Sequence, residues 1–469
     1  MSNLVRIARR IIVSRPQQFR RMESSDSVER CSAPTSKGQS TTIAVGQMRS
    51  TSDKVANFGQ VQELVSRAKS KNATMLFLPE CCDFVGENRA QTLELSETLD
   101  GQLMAQYREL AKSNGIWLSL GGIHERNSEG KIYNAHVLVD EKGELAAVYR
   151  KMHLFDATTK EITLRESNTV SPGERLERPV KTPAGMVGLQ ICYDLRFAET
   201  AVLLRKLGAQ LLTYPAAFTY ATGKAHWEVL MRARAIETQC FVVAAAQQGW
   251  HNKKRQSWGQ SIIVDPWGRI LADCGNEKEL DLGTAEINLS TLDSLYQSMP
   301  CFEHRRNDLY SLTAYNIKGK EPTEDRLFAE NIVDKRTIFY ESEYCFAFTN
   351  LRCVVLGHVL VSTKRVTPRL CGLNCAEMSD LFATVCMVQR MLESIYQTTS
   401  ATVTVQDGAH AGQTVPHVHF HVMPRRQGDF CINDQVYIEL DNRDENKPPR
   451  TMEDRIDEAQ SYRAFLDCS

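Results

Sequence analysis

Three of the chain's eleven histidines fall together in His417-Val-His-Phe-His-Val-Met423. On a β-strand, alternate residues face the same way. His417, His419 and His421 would then share one face, with Val418, Phe420 and Val422 on the other. Such a row can hold a zinc ion, or it can bring a nucleophile and its supporting donors to one substrate. No cysteine or acid within the run supplies a further ligand, so no metal site is expected. A second group is dispersed. Leu76-Phe-Leu-Pro-Glu80 ends an apolar run in a carboxylate, Tyr149-Arg-Lys-Met-His-Leu-Phe155 carries an ammonium at Lys151, and Gly188-Leu-Gln-Ile-Cys-Tyr-Asp194 places a thiol, Cys192, at a strand end. Taken singly, each reads as an ordinary turn acid, solvated lysine or inert buried thiol. Together they suit acid–base and nucleophilic work, because catalytic groups of layered α/β proteins gather at strand ends.

The elements that must position these groups follow from periodicity. From about residue 42, short apolar runs (42–48, 73–79, 116–123, 133–140, 185–192, 211–215, 241–247, 260–264) alternate with helix-spaced segments. The first such segment, 53–72, has Val55, Val61, Leu64, Val65 and Ala68 as its apolar stripe. This alternation predicts an α/β unit with helix-covered sheets over 42–316. Residues 317–327 are charged, carry Gly and Pro, and read as a linker. A second, α+β unit follows over 328–440. Its strands are predicted near 345–349, 358–362 and 402–406, and its long helix over 376–397. Leu381, Phe382, Val385, Val388, Met391 and Leu392 form the expected buried stripe of that helix. The charge-rich tail, 441–469, reads as a solvated helix or disorder.

Composition narrows the function. With 469 residues, 42% hydrophobic, 24% charged and a net charge of −1, the chain is globular and has no basic field to hold nucleic acid. Its apolar runs are too short for a membrane span. Fourteen scattered cysteines without a C-x-x-C pair read as reduced thiols. Residues 1–22 carry six arginines and no acid. That composition fits a mitochondrial transit peptide and equally a basic tail, so the expected location is cytoplasmic, mitochondrial or both. Residues 1–41 as a whole read as a basic, Ser-rich leader.

The dispersed motifs, in this order, resemble the three signature segments of the nitrilase superfamily. The match runs over about 42–310 and includes Tyr214-Pro-Ala-Ala-Phe218, His226-Trp227, Arg232-Ala-Arg-Ala-Ile-Glu237 and Asp265-Pro-Trp-Gly268. The resemblance implies an αββα sandwich and a Glu80–Lys151–Cys192 triad, with Glu166 supporting it. It also implies hydrolysis of a carbon–nitrogen bond, in the branch that acts on deaminated glutathione; an ω-amidase or carbamoyl-amide hydrolase is the alternative. The papain-like C-G-S-C-W signature is missing.

The histidine run satisfies the histidine triad pattern at every position. With Asn350, Leu356-Gly-His-Val-Leu-Val361, Val405-Gln-Asp-Gly408, Ala411-Gly-Gln-Thr-Val415 and Gly428-Asp-Phe430, it resembles the fragile histidine triad branch. That resemblance implies cleavage of diadenosine triphosphate to AMP and ADP through a nucleotidyl group on His419, supported by His417 and His358. It further implies nucleotide contacts from Asn331, Asn350, Gln406, Gly412, Gln413, Thr414, Val415 and His421, with Phe328 on the weakly matching side. No tightly bound cofactor is implied, although a divalent cation (Mg or Mn) is expected to assist. Both halves together resemble the family in which the two domains are fused, which implies homotetramers. The alternative for the second half is a dinucleotide-loaded signalling module.

Overall fold

The computed structural model describes residues 40–158, 163–306, 309, 310, 312, 314, 322–441 and 448–468. The leader up to residue 39 and the first five residues of the expected linker lie outside these.

The first domain is built on two six-stranded sheets. In one, Thr41–Gln47 pairs antiparallel with Asp281–Ile287 and parallel with Met75–Phe77, and Trp117–Arg126, Ile132–Val139 and Leu145–Arg150 continue beyond. The other runs in the order Ile270–Asp273, Ile262–Val264, Phe241–Ala244, Leu211–Thr213, Gly185–Leu189, Val180–Thr182. The period of two decides the layers. Ile43, Val45, Met75 and Phe77 share a core with Val187, Leu189 and Leu211 of the facing sheet. Their neighbours Ala44, Leu76 and Leu78 turn outward onto Val61, Leu64 and Tyr107 of the helices Lys54–Ser70 and Gln102–Asn114. The helices Ala198–Lys206 and Tyr220–Thr238 cover the second sheet through Leu204, Trp227 and Met231. The result is the expected αββα order.

Helix Lys54–Ser70 starts at Asp53, whose Oδ1 accepts from the N–H groups of Val55 and Ala56 at 3.0 Å. Val55 is 83% exposed, against expectation. At 100° per residue it lies about 120° around the helix from Val61, off the stripe that Leu64, Val65 and Ala68 continue.

The second domain is a five-stranded antiparallel sheet, Ile338–Glu341, Cys345–Thr349, Val359–Thr363, His419–Pro424, Ala401–Thr404 in spatial order. Helix Cys375–Ile395 covers one face and opens with a capping box between Asn374 and Glu377. Its Leu381, Val385, Val388 and Leu392 pack on Val361, Val418, Phe420 and Val422. Phe382, one residue round from the stripe, is half exposed and meets Phe420 edge to face. Arg326 and Leu327, read from sequence as linker, pair in the hairpin Arg326–Phe328 with Asn331–Val333. Phe328 then joins Ile338, Phe346, Phe348 and Leu360 on the sheet face opposite the helix.

The tail departs most from expectation. Residues Met452–Cys468 form a helix whose Ala459 and Tyr462 are buried in the same core as the long helix. Tyr462 Oη donates to Glu458 Oε1 at 2.8 Å and lies 2.8 Å from Tyr396 Oη. Ala459, Tyr462 and Leu466 recur at helical spacing, but the charges between them dilute the stripe. This burial makes the helix part of the domain. Tyr462→Ala should therefore cost about 3 kcal/mol in the urea unfolding transition of the C-terminal domain. Tyr462→Phe should cost about 1 kcal/mol. An unchanged midpoint in Tyr462→Ala would show that the helix contributes no packing.

Two candidate active sites

Each first-domain candidate leaves the end of a strand. Glu80 follows Met75–Phe77, Lys151 follows Leu145–Arg150, and Cys192 follows Gly185–Leu189 in the opposite sheet. The three meet at a buried point. Lys151 Nζ donates to Glu80 Oε1 at 3.0 Å and to Glu166 Oε1 and Oε2 at 3.0 and 2.9 Å. Asn134 Nδ2 donates to Glu80 Oε1 at 2.9 Å, and the Ala217 N–H donates to Glu80 Oε2 at 2.8 Å. Burial works against the Glu80 carboxylate, but Lys151, the Cys192 thiol and Arg255 hold it ionised below its usual range. Burial likewise opposes the Lys151 charge, and Glu166 and Glu80 together overcome it. Burial, then the Glu80 charge, push the Cys192 thiol up against the pull of Lys151. The resting arrangement is a protonated thiol beside a carboxylate, with an ammonium alongside.

Cys192 opens a short turn at φ 46°, a left-handed backbone that costs a non-glycine residue about 1–2 kcal/mol. Asp194 holds that turn. Its Oδ2 accepts from the Ile191 N–H at 2.9 Å and from Tyr149 Oη at 2.8 Å, and its Oδ1 accepts from His153 Nδ1 at 2.7 Å. Tyr149 and His153 flank Lys151, so Asp194 ties the lysine strand to the cysteine turn. Asn134, Ala217 and Asp194 were not singled out by sequence. A polar residue inside the buried strand Ile132–Val139 was the one available signal for Asn134. A cavity of about 590 Å³ opens on the group; Phe155, Tyr193 and Phe218 line it, with Arg89, Arg165, Arg196, Lys254 and Arg255 as cations.

In the second domain His419 and His421 stand on the inner strand His419–Pro424, opposite Ser362 and Leu360. They face away from Val418, Phe420 and Val422, which are in the helix-side core. His417 precedes the strand, yet its ring lies 5.5 Å from Phe328, which also meets His419 at 5.0 Å. His419 Nδ1 lies 2.7 Å from the His417 carbonyl oxygen and can only donate to it. In the neutral ring the lone pair is then on Nε2. His417 Nδ1 accepts from the Ala329 N–H at 3.2 Å, and burial holds this ring toward its neutral form.

His358 Nδ1 accepts from the Val354 N–H at 3.1 Å, leaving its Nε2 to donate to His421 Nδ1 at 2.9 Å. That sequence of tautomers places the His421 proton on Nε2. Asn350 is buried, and its Nδ2 donates to His358 Nδ1 at 3.3 Å. The Gln413 side chain braces its own loop, accepting from the Gly408 N–H at 2.7 Å and donating to the Pro368 carbonyl at 2.9 Å. Gly412 closes the adjoining turn at φ 82°. Gln406 and Val415 are half-buried; Asn331 and Thr414 are exposed on the flanking segments, where Asn331 Nδ2 donates to the Phe328 carbonyl at 3.4 Å.

Comparison with known proteins agrees with both halves. Residues 42–297 match the carbon–nitrogen hydrolase family and residues 332–428 the HIT domain family. The Drosophila melanogaster nitrilase and fragile histidine triad fusion protein NitFhit is 75% identical over 467 residues, 99% of both chains. The crystal structure of the Caenorhabditis elegans NitFhit protein superposes with a TM-score of 0.80 at 46% identity, covering 91% of this chain and 99% of that one. A Rattus norvegicus deaminated glutathione amidase is 53% identical over 273 residues, 57% of this chain and 83% of its own. The chain belongs to the NitFhit family, with a carbon–nitrogen hydrolase domain followed by a histidine triad domain.

Proposed function

We propose that the first domain hydrolyses the amide bond of a carboxylate-bearing substrate of the deaminated glutathione type, and that the second cleaves diadenosine triphosphate to AMP and ADP. The first half of this reading rests on the Glu80–Lys151–Cys192 contact. Glu80 takes the thiol proton as Cys192 Sγ attacks the amide carbon. Lys151 Nζ and the Tyr193 N–H meet the developing oxyanion, and Glu166 holds the ammonium in place. Glu80 returns the proton to the leaving nitrogen and then activates the water that opens the thioester. The cations around the cavity suit the substrate's carboxylates, and the 53% identical rat amidase supports the same substrate.

The second half rests on the bond from His419 Nδ1 to the His417 carbonyl. It aims an unprotonated Nε2 away from the backbone, where it can attack the α-phosphorus. ADP leaves, and water releases AMP from the nucleotidyl-histidine. The proton on His421 Nε2 is positioned to meet phosphate oxygens, and Asn350 steadies His358 behind it. Phosphoryl transfer needs such placement more than exotic groups. We assign Gln413 and Gly412 the shaping of the loop that approaches the phosphates, with Gln406, Thr414, Val415 and Asn331 around the nucleotide.

Cys192→Ala should abolish amide hydrolysis, lowering kcat by about 10⁴–10⁶, while dinucleotide hydrolysis stays intact. Loss of both activities in a folded variant would defeat the assignment of separate nucleophiles.

Incubation with diadenosine triphosphate should place an acid-labile adenylyl group on the 417–421 peptide, absent in His419→Ala. His419→Asn should still bind the dinucleotide without turning it over. Intact hydrolysis in His419→Ala would refute the nucleophile; a cellular readout persisting in His419→Asn would favour signalling by the loaded complex.

A further inference from the structure

The amide mechanism leaves one nucleophile of the first cavity unused. Glu80 and Cys81 are consecutive, yet both line the cavity, an arrangement accompanied by a left-handed backbone at Cys81 (φ 58°). The Cys81 N–H donates to the Gly122 carbonyl at 2.9 Å, and its own carbonyl accepts from Gln247 Nε2 at 3.2 Å, which fixes that conformation. Cys81 Sγ lies 4.0 Å from His124 Nε2. His124 Nδ1 lies 3.0 and 3.1 Å from the two oxygens of Asp83. Asp83 is itself held by the Phe84 and His124 N–H groups, each at 2.8 Å, and the His124 ring stacks on Phe84 at 4.3 Å. A thiol, an imidazole and a carboxylate thus stand in line, with the thiol against the substrate space.

Burial draws the His124 imidazole toward its neutral form, but Asp83, and then Cys81, outweigh it and push it up to about 10. An imidazolium therefore faces the sulfur. The Arg255 charge acts on Cys81 from another side of the cavity; Glu80 and buried Cys82 are the sequence neighbours, and Tyr107 lies behind Cys82. The sulfur therefore has a hydrogen-bond donor on one side and the open cavity on the other.

We propose that Cys81, with His124 and Asp83, is a modification site for anionic low-molecular-weight disulfides of the glutathione type. The thiolate attacks one sulfur, a Cys81–S bond forms as the S–S bond breaks, and a glutathione thiolate leaves to take a proton from solvent. The disulfide is the oxidant and no other is needed. Arg89, Arg165, Arg196 and Lys254 on the cavity wall suit its carboxylates. The adduct would occupy the space an amide must enter, so turnover would fall while the disulfide persists and return on reduction. The effect on turnover rests on the amidase reading; the adduct does not.

The test treats the full-length Cys192→Ser protein with glutathione disulfide at neutral pH and maps adducts by peptide mass. Cys81 should react at least about tenfold faster than the exposed Cys301, Cys371 and Cys375. His124→Asn should cut the Cys81 rate about tenfold. In chains that keep Cys192, Cys81→Ala should retain amide hydrolysis and lose inhibition by the disulfide, which keeps the proposal testable if His124→Asn does not fold. Labelling of Cys81 no faster than the exposed thiols, or unchanged inhibition of Cys81→Ala, would overturn it. A Cys81 adduct in a protein without amide turnover would uphold the site and count against the amidase reading instead.

Discussion

The first domain depends on a buried ammonium shared by two carboxylates. Lys151 is 2% exposed and Glu80 4%, so their charges are far from water, and removing ions from water costs several kcal/mol each. Direct contact alone does not offset that cost. The remaining lone pairs must find donors, and they come from distant parts of the chain. The Ala217 N–H reaches Glu80 from beyond strand Leu211–Thr213, Asn134 reaches it from within the other sheet, and the Phe155 N–H donates to Glu166 Oε2 at 2.7 Å. The cluster is satisfied only when both sheets are in place. Closing the sandwich and assembling the triad are therefore one event.

The second domain meets a related problem with neutral groups. Four histidines lie almost fully buried, where extra charge would be costly. Backbone groups settle their protons instead. The His417 carbonyl fixes His419, the Ala329 N–H fixes His417, and the Val354 N–H fixes His358, which in turn fixes His421. Three of the four tautomers are imposed by a backbone atom whose position the sheet or its loops determine, and the fourth, on His421, is relayed through His358. The strand register is thereby a chemical instruction. A one-residue slip would turn the imidazoles into the helix-side core and bring Val418 and Phe420 to the substrate.

Much of this was legible in sequence, for a definable reason. Strand-end motifs and alternate histidines are local patterns, and their geometry follows from the two-residue period. Groups whose role depends on a partner far along the chain left little trace. Asp194 joins the cysteine turn to Tyr149 and His153, contacts more than 40 residues apart in sequence. Ala217 contributes only its backbone, which no residue type advertises. Phe382 and Val55 show the opposite failure, apolar residues near a buried stripe in sequence but turned off it around the helix. In the tail, charge density concealed a stripe of three residues that the domain core needed.

The joint between the domains bears on how far the two sites can influence each other. Arg178 Nη2 of the first domain donates to the Glu341 carbonyl of the second at 3.4 Å. Glu341 is also gripped by Arg326 at 2.8 and 2.9 Å. It ends Ile338–Glu341, the edge strand of the five-stranded sheet, and Arg178 stands just before the edge strand Val180–Thr182 of its own. Between Glu341 and His419 lie two further strands, Cys345–Thr349 and Val359–Thr363, packed on both faces. Coupling requires an element with two arrangements that both sites bias. The path from Glu341 to His419 runs through an antiparallel sheet whose edge pair carries a register shift between Ile338 and Tyr340. What the covalent connection guarantees by itself is equal numbers of the two sites.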